Sequence, residues 1–185
     1  MAQAYERPAR RGQRMRIGAW AGAATLLLIP AIAMQFTREV DWSPADFVFA
    51  AVLLFGSLAA FEWLARGSGR LSYRVATGLV LFGVFAIVWI NAAVGIIGSE
   101  DDPANWMFAA IPLVGGLVAM IGRFQPAAMM RASLSMAVVQ LLIAAIAAGG
   151  IAGPIADSIR PLTGLTIILT TIWLAAATLF HRARD

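Results

Sequence analysis

In a chain of 185 residues, 61% are hydrophobic and only 13% charged, against roughly 25% charged in ordinary globular domains, so a soluble domain of this size is excluded. The net charge of +4 comes from arginine alone, because the chain has no lysine. The absence of cysteine and the single histidine, His181, exclude disulfides, thiolate metal sites, cysteine nucleophiles and a paired-histidine haem centre within one chain.

The opening residues 1–16, MAQAYERPARRGQRMR, set five arginines against one acid, Glu6, and read as a loose basic cytoplasmic arm. They resemble the start of a signal peptide. The apolar run that follows, about 17 to 35, is nevertheless too long for a secretory core and lacks a small-x-small cleavage site, so it is expected to be a retained helix with Pro30 as a tolerated kink. Further apolar runs cover about 44–65, 73–98, 104–122, 127–149 and 162–180. Each is long enough to cross a hydrocarbon core of about 30 Å as a helix, and none alternates as a barrel strand would. The expected fold is all-α, a polytopic membrane protein with six transmembrane helices spanning 17–181 and a short cytoplasmic tail at 182–185.

The connecting segments sort by charge. The arm, the turn with Arg66, Arg70 and Arg74, the turn with Arg123 and Arg131, and the tail with Arg182 and Arg184 are basic. The alternate loops hold Arg38, Glu39 and Asp41, then Glu100, Asp101 and Asp102, then Asp157 and Arg160. By the positive-inside rule both termini are cytoplasmic and the acidic loop faces outward. An internal repeat is also suggested: SPADFVFAAVLLFG (43–56) aligns without gaps to DPANWMFAAIPLVG (102–115), seven identities in fourteen. Arginines bracket each outward hairpin at intervals of about 57 residues. Three parallel helix hairpins would explain both features, and so would evenly sized helices with arginine at every cytoplasmic end.

The two aligned stretches carry helix-start signals. Ser43 precedes Pro44 and is followed three residues on by Asp46, a capping-box-like pair, while Asp102 precedes Pro103 with Asn105 at the third position. Trp42 and Trp106 fall where an interfacial aromatic belt would place them. Capping leaves Glu100 and Asp101 unexplained, and three carboxylates with Asn105 are weak candidates for a Ca²⁺ or Mg²⁺ site, although the spacing follows no known ligand loop. A solvated loop that helps to set topology explains the same acids. The stretch VGIIGSEDDPAN resembles one that recurs in an uncharacterised family of small bacterial inner-membrane proteins, and the resemblance extends over the flanking helices. It implies a bacterial inner-membrane location and no particular activity.

Polar residues at bilayer depth are the remaining functional candidates. Glu62 lies about one turn from the cytoplasmic end with Arg66 four residues on, the spacing of a snorkelling ion pair or, alternatively, of a proton-coupling acid. Asn91 and Gln140 sit well inside their helices, as interhelical hydrogen-bonding groups or as the lining of a solute pathway. Thr170 and Thr171 are expected to bond back to their own helix. Small pairs at four-residue spacing, Gly56/Ala60, Gly115/Ala119 and Ala144/Ala148, would allow close helix approach, and Pro112 would kink the fourth helix. No phosphate loop, HExxH or paired carboxylate within a span is present, so neither catalysis nor a cofactor is implied. The N-terminal arginines suit anionic lipid headgroups, and no nucleic-acid reader is recognisable. The expected function is that of a noncatalytic membrane protein packing with, or assisting, another membrane component; its candidate partners are a membrane protein or, as a homo-oligomer, further copies of itself. The alternative is a small transporter or channel for a cation or small solute. A lipid-modifying enzyme would need a cavity bringing Glu62 or His181 against a hydroxyl.

Overall fold

The computed structural model describes residues 6–149 and 159–184, with side chains from residue 12 onward except those of 159–161. The elements in order are α1 (Glu6–Ala33), α2 (Pro44–Arg66), α3 (Leu71–Val94), a 3₁₀ segment (Pro103–Ala109), α4 (Ala110–Ile121), α5 (Pro126–Ala148) and α6 (Ile159–Arg182). Among the described residues there is no strand. Six stretches are long and apolar enough to cross a membrane, the fourth being the 3₁₀ segment and α4 together, Pro103–Ile121. The protein is an all-helical, multi-pass membrane protein. Asp157 and the side chains of Arg7, Arg10, Arg11 and Arg160 lie outside the described residues, while the backbone of Arg160 belongs to the first turn of α6.

Three boundaries differ from the sequence reading. At 28 residues α1 is about 42 Å long, because the helix begins at Glu6 and residues 6–16, read from sequence as a loose arm, continue it. Next, α3 stops at Val94 rather than 98, since Gly95 adopts φ +69° and turns the chain away. Finally, the span that begins at Pro103 opens as a 3₁₀ helix and becomes α-helical only at Ala110. Pro112 thus stands in the first turn of α4 rather than in mid-helix, where its missing N–H is least disruptive.

The chain forms two compact units, residues 1–60 and 61–185, the division falling within α2. In the first unit the Trp20 ring stacks on Phe55 with centroids 5.8 Å apart. The start of α2 is a reciprocal capping box. The Ser43 N–H and hydroxyl both donate to Asp46 Oδ2 at 2.8 Å, and the Asp46 N–H donates to Ser43 Oγ at 3.3 Å. Trp42 packs edge-on against Phe47 just outside that cap.

In the second unit α6 lies against both α3 and α5, and α4 lies against α5. Lipid tails are as apolar as leucine, so burial alone does not drive helices together in a bilayer, and close van der Waals fit takes its place. Small residues make that fit. A Cβ on Gly83 of α3 would stand 2.4 Å from the buried Trp173 ring of α6, and one on Gly115 of α4 would stand 2.5 Å from the Met136 sulfur of α5. Of the expected small-residue pairs, Gly115/Ala119 packs in this way, whereas Ala148 is exposed. The core continues from Trp173, Ile87, Leu169 and Phe108 to a second cluster around Tyr73 and Phe180, whose rings meet edge-on at 5.2 Å.

That second cluster ties the arginine-bearing turns together at one end of the unit. Tyr73 donates from its hydroxyl to the Phe124 carbonyl at 2.7 Å, and an Arg70 Nη donates to the Ala183 carbonyl at 2.7 Å. The acidic loop follows the opposite end of α3.

Candidate functional site

The loop GIIGSEDDPAN is built around Asn105, which is 3% exposed. Its Oδ1 accepts from the N–H groups of Ile96 and Ile97 at 3.0 and 2.9 Å, and its Nδ2 donates to the carbonyls of Ile97 and Ser99 at 3.0 and 2.6 Å. One amide therefore replaces the partners that a turn of helix would have supplied to residues 96–99. Two glycines make the path possible. Gly95 and Gly98 have φ of +69° and +63°, and a Cβ at Gly98 would meet Asp102 Oδ2 at 2.8 Å. Asp102 caps the following segment as expected, its Oδ1 accepting from the Ala104 N–H at 2.8 Å.

The three acids of this loop do not converge. Asp102 is committed to the cap, while Glu100 and Asp101 are exposed. Among the described residues no three acidic, histidine or cysteine side chains form a group able to hold a metal ion. Sequence reasoning placed Asn105 at the third position of a helix and beside the acids as a weak cation-ligand candidate, and missed its role as the anchor of the loop. Its four partners lie six to nine residues upstream, a pairing that no helical or strand period announces. The aligned residue in 43–56 is Asp46, which caps Ser43 instead, so the two similar stretches use the same position differently.

Asn91 extends this lock into the membrane. Its Nδ2 donates to the Asn105 carbonyl at 3.2 Å, while its Oδ1 finds no hydrogen-bond partner among the described residues. Gln140 is 0% exposed, and among the described residues both its amide oxygen and its amide nitrogen are likewise without a partner. The same holds for Thr166 Oγ1, Thr170 Oγ1 and Trp173 Nε1 on α6. Thr171, in contrast, bonds back to the Ile167 carbonyl at 2.7 Å as expected. Gln140 lies about 21 Å along α5 from Pro126. Thr170 and Thr166 lie about 18 and 24 Å from the Arg182 end of the adjoining α6. These groups thus share a depth near mid-span, where an unpartnered buried polar atom costs about 1–3 kcal/mol.

Glu62 is 13% exposed and forms an i,i+4 ion pair with Arg66 at 3.3 Å in the last turn of α2. His181 is exposed at the end of α6. Neither lines the cavity at the arginine-bearing end of the second unit. Compared with protein-family models, curated proteins and solved structures, the chain matches none.

Proposed function

We propose that this chain is a noncatalytic integral protein of a bacterial inner membrane, with both termini cytoplasmic, that packs with or assists another membrane component. The observation that carries the reading is how its intramembrane polar groups are used. Asn91 and Asn105 lock a loop to the end of α3, and Glu62 pairs with the next arginine on its own helix. Groups spent on rigidity suit a scaffold that presents helices to a neighbour. The arginine-bearing turns gathered at one end of the second unit support the cytoplasmic assignment of that end. The resemblance of VGIIGSEDDPAN to a bacterial inner-membrane family supports the location.

One observation favours a second reading, a small transporter or channel. Among the described residues, atoms of Gln140 on α5 and of Thr166, Thr170 and Trp173 on α6 are buried without partners, and a passing solute could satisfy them. Reconstitution separates the two. The purified chain alone in liposomes is expected to give ion and solute flux no greater than empty liposomes. A flux that Gln140→Leu abolishes would overturn the scaffold reading in favour of transport.

A further inference from the structure

A cavity of about 570 Å³ opens at the arginine-bearing end of the second unit, within the range of about 300–1,000 Å³ usual for ligand sites. Its wall is of two kinds. Trp63, from the last turns of the second membrane span, and Phe124, just past the end of the fourth, give an aromatic side, with ring centroids 5.0 Å apart in an edge-on pair. Arg70, Arg123 and Arg184 give a cationic side, and among the described residues no carboxylate contributes to the lining. Arg70 uses one Nη on the Ala183 carbonyl, and among the described residues Arg123 and Arg184 meet no acid. Three like charges around one cavity repel one another, and an anion relieves that repulsion.

The backbone beneath is held in an unusual state. Arg123 and Phe124 are both left-handed, with φ of +52° and +56°, in a turn where glycine is the ordinary choice. Such a conformation persists only where its surroundings over-determine it. Here the Phe124 N–H donates to the Ala119 carbonyl at 2.8 Å, its carbonyl accepts from Tyr73 and its ring meets Trp63. The strained turn fixes the direction in which Arg123 leaves the chain.

We infer that this cavity binds the phosphate of an anionic membrane lipid, with Arg123, Arg184 and Arg70 around the phosphate and Trp63 and Phe124 against the glycerol and the first acyl carbons. A guanidinium matches phosphate oxygens with paired N–H donors. The aromatic side and the position at the ends of the spans favour a lipid over a free phosphate, because a soluble anion makes no use of an apolar wall at headgroup depth.

The test is native mass spectrometry of the full chain in a neutral detergent, titrated with phosphatidylglycerol, phosphatidylcholine or glycerol 3-phosphate. One phosphatidylglycerol is expected to bind in preference to phosphatidylcholine. The double variant Arg123→Gln/Arg184→Gln removes two surface charges and is expected to weaken phosphatidylglycerol binding about 30-fold. Arg131→Gln, outside the cavity, should leave it unchanged, and Arg123→Lys/Arg184→Lys should retain most of it. Equal loss in Arg131→Gln would reduce the effect to general surface charge and overturn the site. Unchanged binding in the double variant would overturn it as well. Glycerol 3-phosphate binding as tightly as the lipid would overturn the lipid as occupant.

Discussion

Replacing Asn105 by alanine removes four side-chain hydrogen bonds and leaves the N–H groups of Ile96 and Ile97, residues that are 6% and 2% exposed, without partners. The Ser99 carbonyl belongs to an exposed residue and can turn to water, so the main loss comes from the two buried donors. At about 1–3 kcal/mol for each orphaned group, the closed loop loses about 4 kcal/mol, a large part of the total of about 5–15 kcal/mol typical of a folded protein. At about 1.4 kcal/mol per factor of ten, the open loop becomes several hundredfold more populated. The chain has no native cysteine, so Ile97→Cys reports this opening cleanly through its rate of labelling by a water-soluble maleimide. Asn105→Ala in that background should raise the rate by two to three decades. A rate within about threefold of the parent would refute the claim that one amide holds the loop closed.

Gly83→Ala should lower the melting temperature in detergent and cost about 1–3 kcal/mol, because the new Cβ would stand 2.4 Å from the Trp173 ring; Gly78→Ala, 3.6 Å from its nearest neighbour, should be tolerated on the same scan. Gly95→Ala should destabilise the acidic loop, since φ is +69° and the Ser99 carbonyl lies 2.5 Å from the added carbon; faster labelling at Ile97→Cys would register it. Gln140→Leu should leave stability unchanged or raise it by about 1–3 kcal/mol, because it removes an amide whose two ends are both unpartnered; a lower melting temperature would show that the amide has a guest. Single cysteines at Ser68 and Ser99 should label from opposite faces of right-side-out vesicles, Ser99 from outside.

The helix count and the two capped starts were legible in the sequence because they depend on local rules. An apolar run of membrane length announces a span, and Ser43 with Pro44 and Asp46, or Asp102 with Pro103, announces a helix start whatever the rest of the fold does. The loop anchor was not legible, since an asparagine at the third position of a helix looks the same whether it faces water or four backbone groups. The Gly83–Trp173 fit depends on which faces of α3 and α6 meet, a choice that nearly uniform hydrophobicity leaves open. The arginine cavity was hidden for a related reason. Sequence showed two basic turns and a basic tail, and charge counting used them for topology, but only the Tyr73 and Arg70 hydrogen bonds to Phe124 and Ala183 draw those segments around one space.

The central claim, that this is a noncatalytic protein built to pack with another membrane component, is tested most directly by native mass spectrometry of the chain extracted gently from its own membranes. The account predicts a second polypeptide at fixed stoichiometry, retained through purification and released only when the membrane helices are dissociated. The chain alone, or copies of itself only, would contradict that account.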